Sequence, residues 1–296
     1  MQYVHFPKSG STFALAVWAS SCDLVPPTHL LDYLSVRPSA QAGRTTGMQH
    51  TPQVFRGWLR SVDDAHGGAA RACPRLRQDG RPLNKAAEID MQYHHHGVRS
   101  DAAASTAVAM FRAPFDRALS HWRYVPGNRR GRCPTRDELY LLRDASIHGG
   151  IVGCLAGCQC KMLLGRNCLA CRNRTTHKQN AKLMRTDLRA AGAALQPPLS
   201  DAEITECVRR VSLFRFAGLT DRWNDSIARF CEQTTCPPWV LDPARRVTRR
   251  NGATQTCNPP AGWLDAADTA VYDAARAHFE RSLRGRRRAA VGTSSD

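Results

Sequence analysis

Short apolar runs alternate with amphipathic stretches along most of the chain. Three of these runs, Gln2 to Phe6, Ser105 to Arg112 and Val211 to Gly218, favour extended backbone and predict buried strands. Because predicted helices separate the strands, the pattern indicates an α/β fold with a central, mostly parallel sheet flanked by helices. The helices are predicted at Phe13 to Ser20, Phe115 to Tyr124, Thr135 to Ala145, Ala181 to Ala194, Asp201 to Val211 (with Ser200 as N-cap), Asp221 to Glu232 and Asp265 to Leu283.

The length of 296 residues fits one large α/β domain or two small ones, and we place a single domain at residues 1–284. Residues 63–85 are rich in Gly, Arg and Ala and contain little that could pack, so we expect a surface insertion there. Residues 285–296 are basic and nearly devoid of large apolar side chains, and we expect them to form a disordered tail.

The formal net charge of +17 implies a polyanionic partner, which could be nucleic acid, an acidic polysaccharide or an anionic membrane surface. The overall composition excludes a collagen, a coiled coil and a fully disordered chain. No run of about 18 apolar residues is present to span a membrane. Because no signal peptide precedes the first strand either, we expect that a membrane anchor is missing from this chain.

The chain contains 12 cysteines, a high and even number that is typical of disulfide-bonded proteins from an oxidising compartment. Cys231, Cys236 and Cys257 fit an irregular C-terminal region held together by disulfides. A second cluster has the spacing C-x₃-C-x-C-x₇-C-x₂-C, which is compatible with a zinc site as well as with disulfides. Its members are Cys154, Cys158, Cys160, Cys168 and Cys171.

A polar turn joins the first predicted strand to the first predicted helix. Free backbone N–H groups at the start of a helix bind anions, and here a lysine and three hydroxyl side chains add further donors. The lysine precedes the glycine, so the turn is not a Walker A loop. An ordinary turn with a surface lysine remains the alternative. The turn consists of Pro7, Lys8, Ser9, Gly10, Ser11 and Thr12.

A second anion site is predicted where the strand ending at Arg112 meets the next helix. Ligands of open α/β sheets sit at the carboxyl ends of the strands, where Arg112 lies. If the helix begins at Pro114, Ser120 lies about two turns into it, and an arginine fork with a hydroxyl makes a phosphate clamp. In the alternative interpretation, Arg112 pairs with Asp116 and Ser120 is an ordinary helix-surface residue.

Together these two stretches resemble sulfotransferases that use 3′-phosphoadenosine 5′-phosphosulfate (PAPS). Pro7 to Thr12 resembles the 5′-phosphosulfate loop of that family, and Arg112 and Ser120 have the spacing of its 3′-phosphate motif. The resemblance implies a P-loop NTPase-like three-layer fold and PAPS as co-substrate. It also implies that Lys8 stabilises charge on the leaving phosphate oxygen and that no metal is required.

Three later stretches resemble the Golgi branch of this family, which sulfates carbohydrates. They are Cys158 to Gly165, Phe216 to Ser226 and Asp268 to Phe279. This resemblance implies a carbohydrate acceptor, which could be an anionic polysaccharide, rather than nucleic acid. It also implies residence in the Golgi lumen or at its membrane, and it favours disulfides over zinc for the cysteine cluster.

The general base is predicted among residues that precede the second strand. Gln92 to Gly97 resembles the Tyr-His-x-His stretch of uronyl 2-O-sulfotransferases, which puts His94 and His96 in the place of the catalytic histidines. A histidine near neutrality suits proton removal from a sugar hydroxyl. Glu88 and Asp90 are rival bases, and a polar loop or an adventitious metal-binding histidine run is the alternative to catalysis.

Two other functions remain open at this stage. A nucleotide-dependent kinase with an atypical P-loop would need Mg²⁺, and no convincing metal-holding aspartate follows an apolar strand. A basic, zinc-stabilised protein that binds nucleic acid would show stoichiometric zinc and steeply salt-dependent binding.

Overall fold

The structure is a computed structural model, and the part of the chain that it describes is discontinuous. It covers residues 2–4, 6, 13, 16, 17, 20, 77–78, 81–82, 97–98, 100–124, 132–135, 156–166, 199–241, 256–261 and 263–292. The described strands are β1 (Gln2–Val4), β2 (Arg77–Gln78), β3 (Arg81–Pro82), β4 (Ala107–Phe111) and β5 (Phe216–Leu219). The described helices are α1 (Asp101–Thr106), α2 (Pro114–Tyr124), α3 (Cys158–Leu163), α4 (Asp201–Leu213), α5 (Trp223–Thr234) and α6 (Ala266–Gly292), with a 3₁₀ turn at Pro238–Val240.

The main sheet has the strand order β1-β4-β5, and both strand pairs are parallel. Val4 lies opposite Ala109, and Phe111 lies opposite Leu219. The predicted α/β fold with a parallel sheet is thereby confirmed for the main sheet, β1, β4 and β5. The short strands β2 and β3 form a separate antiparallel pair inside the stretch 63–85, where we expected a surface insertion.

One face of the sheet is covered by the helical turn that follows β1 and by α5. Positions 13, 16, 17 and 20 are helical and buried, which agrees with the helix predicted there. The ring of Phe13 lies 5.9 Å from Tyr3 of β1, 5.6 Å from Phe216 of β5 and 4.9 Å from Phe230 of α5. These aromatic contacts join the first helix, two strands and α5 into one apolar layer.

The opposite face is covered mainly by α4 and α6. Phe111 of β4 contacts Phe6 at 4.9 Å and Phe214 at 5.7 Å between ring centroids. The same core cluster contains Val211 of α4 and, from α6, Val271, Tyr272, Ala275 and Phe279. Side chains of a strand alternate between the two faces of the sheet. Here helices cover both faces.

The N-terminus of α4 has the predicted cap. The Ser200 hydroxyl accepts a hydrogen bond from the Glu203 backbone N–H, and the Glu203 carboxylate accepts one from the Ser200 N–H. The helix continues to Leu213, however, and β5 begins only at Phe216. The prediction that the strand starts at Val211 is wrong, because Val211 faces the core from the last turn of the helix and short apolar runs do not distinguish the two states.

The second strand also begins later than predicted, at Ala107 rather than Ser105. Ser100 caps α1 by accepting a hydrogen bond from the Ala103 N–H. The hydroxyls of Ser105 and Thr106 then donate to carbonyl oxygens three residues back, which satisfies them within the helix. The strand β4 therefore begins at Ala107, the first residue after these local hydrogen bonds.

The long C-terminal helix is confirmed, with different ends. It begins at Ala266, one residue later than predicted, and Leu264 lies before it with 62% of its surface exposed. The helix continues to Gly292 and so includes most of the segment 285–296 that we expected to be a disordered tail. The predicted helices Thr135 to Ala145 and Ala181 to Ala194 lie, apart from Thr135, outside the described residues.

Three cysteine pairs in the described residues form disulfides: Cys133–Cys257, Cys160–Cys207 and Cys231–Cys236. Cys158 is disulfide-bonded as well. A zinc site that uses Cys158 and Cys160 is therefore contradicted, because neither sulfur is a free thiolate. Several disulfides are typical of secreted or lumenal proteins. Within the described residues, no helix has the length and apolarity needed to cross a bilayer.

The Cys160–Cys207 disulfide should stabilise the fold more than the Cys231–Cys236 disulfide. The first links residues 47 positions apart and the second residues five positions apart. Chain entropy then predicts a loss of about 4 kcal/mol for the double variant Cys160→Ala/Cys207→Ala, against about 2 kcal/mol for Cys231→Ala/Cys236→Ala. Urea unfolding with the other disulfides oxidised measures both values, and equal losses would contradict this expectation.

Candidate functional site

Arg112 lies directly after β4, at the carboxyl edge of the middle strand of the main sheet. Phe6 lies at the same edge, beyond the end of β1, where its ring contacts that of Phe111. The chain continues from Phe6 into the predicted phosphate loop, residues 7–12, which lie outside the described residues. The two predicted phosphate-binding stretches therefore start from neighbouring points of one sheet edge.

The backbone of Arg112 is held by a buried glutamine side chain. Gln159, in the first turn of α3, accepts a hydrogen bond from the Arg112 N–H at 3.2 Å and donates one to the Arg112 carbonyl oxygen at 3.1 Å. Its side-chain amide thus makes the hydrogen bonds to the Arg112 backbone that a neighbouring strand would otherwise make. The residue after Phe6 in the adjacent chain segment is Pro7, which has no N–H to donate to a ladder.

The neighbouring strand β5 ends in a similar way. The Ser226 hydroxyl of α5 accepts a hydrogen bond from the Leu219 N–H at 2.8 Å and donates to the Leu219 carbonyl oxygen at 3.1 Å. The next residue, Thr220, donates its backbone N–H to the Phe111 carbonyl oxygen at 2.9 Å. Thr220 is only 3% exposed, and its hydroxyl has no hydrogen-bond partner within the described part of the chain.

Helix α2, which carries Ser120, is anchored by a buried ion pair. Arg117 is 1% exposed, and its Nη2 lies 2.6 Å from Asp268 Oδ2 and 3.7 Å from Asp265 Oδ2. Both carboxylates belong to the start of α6. Ser120, one turn after Arg117, is partly exposed. The ion pair therefore fixes the helix on which the predicted phosphate-clamp hydroxyl lies.

The same two carboxylates also bind the N-terminus of α3. The Gly157 N–H donates to both oxygens of Asp265 at 3.1 Å, and the Cys160 N–H donates to Asp268 Oδ1 at 3.1 Å. Gly157 has a φ of 61°, a left-handed conformation that disfavours other residues. Negative charge is favourable near the N-terminus of a helix. Through Asp265 and Asp268, the helices α2, α3 and α6 meet at one buried group of charges, which we call the junction.

Burial dominates the ionisation of this junction. The pKa of Asp268 is raised first by burial and then by the charge of Asp265, whereas Arg117 and backbone N–H groups oppose the shift. The pKa of Lys161, on α3, is lowered by burial, and the charges of Asp268 and Asp265 oppose that shift. The charges of Arg117, Lys161, Asp265 and Asp268 thus influence one another's ionisation in a buried environment.

The residues that follow the predicted histidine base are anchored on α3. The Val98 N–H donates to the Met162 carbonyl oxygen at 2.8 Å. Gly97 lies so close to α3 that a Cβ atom there would meet the same oxygen at 2.3 Å, which only glycine avoids. Met162 is one turn beyond Gln159, so α3 contacts both Arg112 and the segment that leads away from His96.

The structure describes some of the predicted site residues and not others. Arg112 lies two residues before the start of α2, and Ser120 lies in the second turn of that helix. Residues 7–12 and the four candidate bases, Glu88, Asp90, His94 and His96, lie outside the described residues. Sequence reasoning assigned no role to Gln159, Arg117, Asp265, Asp268 or Thr220. For Arg117, the sequence signal of a buried role is a charged residue next to the apolar residues Ala118 and Leu119.

Replacing Arg117 with methionine should destabilise the fold by about 3–5 kcal/mol, because two buried carboxylates lose their cation. Without the arginine, the pKa of Asp268 rises further, and the folded state retains a proton that the unfolded state releases. A raised folded pKa stabilises the fold at low pH, and this contribution is lost as the pH rises through it. The defect should therefore be smaller at about pH 5 than at about pH 8.

Urea unfolding at both pH values measures this effect. Arg276→Met is the matched control, because Arg276 pairs with Asp273 at 3.0 Å with both side chains about half exposed. We expect a loss below about 1 kcal/mol for the control, with little dependence on pH. Equal losses in the two variants would show that the buried junction does not stabilise the fold.

Comparison with known proteins found no match to this chain. No family model, no curated protein and no solved structure matches it.

Proposed function

We propose that this chain is a sulfotransferase that moves the sulfuryl group of PAPS to a hydroxyl of a carbohydrate. The observation that carries the proposal is the contact between Phe6 and Phe111 at one carboxyl edge of the parallel sheet. Each of these residues leads directly into one of the two phosphate motifs. A P-loop NTPase-like three-layer fold is part of the proposal, and helices on both faces of a parallel sheet support it.

In this proposal the two motifs hold the two ends of the nucleotide. Residues 7–12 bind the 5′-phosphosulfate through backbone N–H groups, the Lys8 ammonium and hydroxyls. Arg112 and Ser120 bind the 3′-phosphate through a charged fork and a hydroxyl. The Gln159 contacts to the Arg112 backbone and the Arg117–Asp268 ion pair support this role, since both restrict movement of the clamp.

The proposed reaction is an in-line displacement at sulfur. An acceptor hydroxyl forms the new oxygen–sulfur bond while the bond from sulfur to the 5′-phosphate oxygen breaks. Lys8 stabilises the negative charge that develops on that leaving oxygen. His94 or His96 takes the proton from the acceptor hydroxyl, with Glu88 and Asp90 as rival bases. The products are adenosine 3′,5′-bisphosphate and a sulfate ester, and no metal ion takes part.

The proposed setting is the Golgi lumen, and the proposed acceptor is a glycan that carries negative charge. The described disulfides support a lumenal compartment. The net charge of +17 supports an anionic acceptor.

Calorimetry with adenosine 3′,5′-bisphosphate tests the proposal directly. We expect tight binding that is the same with and without Mg²⁺, and a loss of roughly 100-fold or more in Arg112→Ala, which removes a charged fork. Arg276→Ala, which removes an exposed arginine on α6, is the control and should bind as the wild type does. Binding of ATP that requires Mg²⁺, without binding of the bisphosphate, would instead indicate a kinase.

Transfer assays with PAPS and a glycan acceptor separate the proposed catalytic roles. Lys8→Ala should abolish transfer, because the leaving oxygen loses its counter-charge. His94→Ala or His96→Ala should lower kcat by about 100-fold or more while nucleotide affinity stays within about twofold. Full sulfation activity in Lys8→Ala would overturn the mechanism, and unchanged kcat in both histidine variants would move the base to Glu88 or Asp90.

A further inference from the structure

The hydroxyl of Thr220 stands out among the buried polar groups at the carboxyl edge of the sheet. The residue is 3% exposed, and its Oγ1 lacks a hydrogen-bond partner within the described residues. Leaving a buried hydroxyl unpaired costs about 1–3 kcal/mol, so proteins rarely keep one without a reason. The other described threonine at a similar burial, Thr234, donates its hydroxyl to the Phe230 carbonyl oxygen at 2.7 Å.

Thr220 lies beside Arg112. Leu219 pairs with Phe111 in the sheet, and Thr220 and Arg112 are the residues that follow these two partners. The Thr220 N–H bonds to the Phe111 carbonyl oxygen, which continues the ladder by one residue. Neighbouring strands are about 4.8 Å apart, so the two residues leave the sheet side by side at the edge where ligands of such sheets bind.

The position of Thr220 is fixed on both sides. The preceding residue, Leu219, is held through its backbone by the Ser226 hydroxyl. The following residue, Asp221, accepts a hydrogen bond at 2.7 Å from the hydroxyl of Tyr272 on α6. Both neighbours of Thr220 therefore have partners within the fold, whereas the Thr220 hydroxyl makes no hydrogen bond within the described residues.

We propose that the Thr220 hydroxyl donates a hydrogen bond to the same phosphate that Arg112 binds, as a further nucleotide-binding group of this protein. This inference rests on the proposed function, in which that phosphate is the 3′-phosphate of PAPS. A hydroxyl between two residues that are held in place needs no reorganisation when the phosphate arrives, so its hydrogen bond is preorganised.

The nucleotide affinity and the stability of two Thr220 variants and one control variant test the inference. Thr220→Val removes the hydroxyl and keeps the shape, Thr220→Ser keeps the hydroxyl, and Thr234→Val is the control that removes a paired hydroxyl at similar burial. Calorimetry with adenosine 3′,5′-bisphosphate and with adenosine 5′-monophosphate, which lacks the 3′-phosphate, gives the affinities. Thermal unfolding gives the stability of each variant.

We expect Thr220→Val to bind the bisphosphate about tenfold more weakly, with unchanged affinity for the monophosphate and an equal or higher Tm. Thr220→Ser should bind as the wild type does. Thr234→Val should keep its affinity for both nucleotides and have a lower Tm, because the Phe230 carbonyl loses its extra hydrogen bond.

The inference is overturned if Thr220→Val binds the bisphosphate as tightly as the wild type, or if its affinity for both nucleotides falls equally. A lower Tm with unchanged affinity would assign the hydroxyl a structural role and has the same consequence. A wild-type protein that binds no bisphosphate overturns the proposed function and this inference together. A wild-type protein that binds, with an unaffected Thr220→Val variant, overturns this inference alone.

Discussion

The buried ion pair between Arg117 and Asp268 is the interaction on which the arrangement of the site depends. Its two residues are 151 positions apart in the chain, and each is almost completely buried. A buried charge without a partner costs several kcal/mol, which is a large share of the roughly 5–15 kcal/mol by which domains are stable. The fold must therefore bring α2 and α6 together in one geometry, and α3 joins them because its N–H groups bind the same carboxylates.

This junction connects to Arg112 by two short routes. In the chain, Arg117 lies five residues after Arg112 and three before Ser120, and α2, which carries Arg117 and Ser120, begins two residues after Arg112. Through α3, the Cys160 N–H binds Asp268 while the adjacent Gln159 binds both backbone groups of Arg112. We therefore expect a change in the junction to shift Arg112 by both routes. In the proposed function, groups that contact no ligand would thereby influence the affinity for the nucleotide.

Local pattern predicted the three strands of the main sheet together with α2, α4, α5 and α6, but it missed α1, α3 and the pair β2 and β3. It also misplaced a strand where one apolar run serves two elements. Val211 lies in the last turn of α4 and Phe216 begins β5, and the C-cap of α4 at Phe214 separates them. The partners of buried polar groups could not be predicted at all. Nothing local to Arg117, Gln159 or Cys160 indicates Asp268, Arg112 or Cys207, because those pairings arise only when distant segments pack. What a sequence can flag is the polar residue on an apolar face, which must find some partner.

The carboxyl edge of the sheet separates its polar groups into two kinds. Backbone groups at the ends of β4 and β5 are satisfied by the buried side chains of Gln159 and Ser226 and need nothing from a ligand. The hydroxyl of Thr220, the residue that directly follows β5, has no such partner among the described residues. If the edge served packing alone, valine there would give a more stable fold, since it fills the same volume without an unpaired hydroxyl. A threonine at this position fits the proposal that a phosphate bound by the neighbouring Arg112 accepts a hydrogen bond from it.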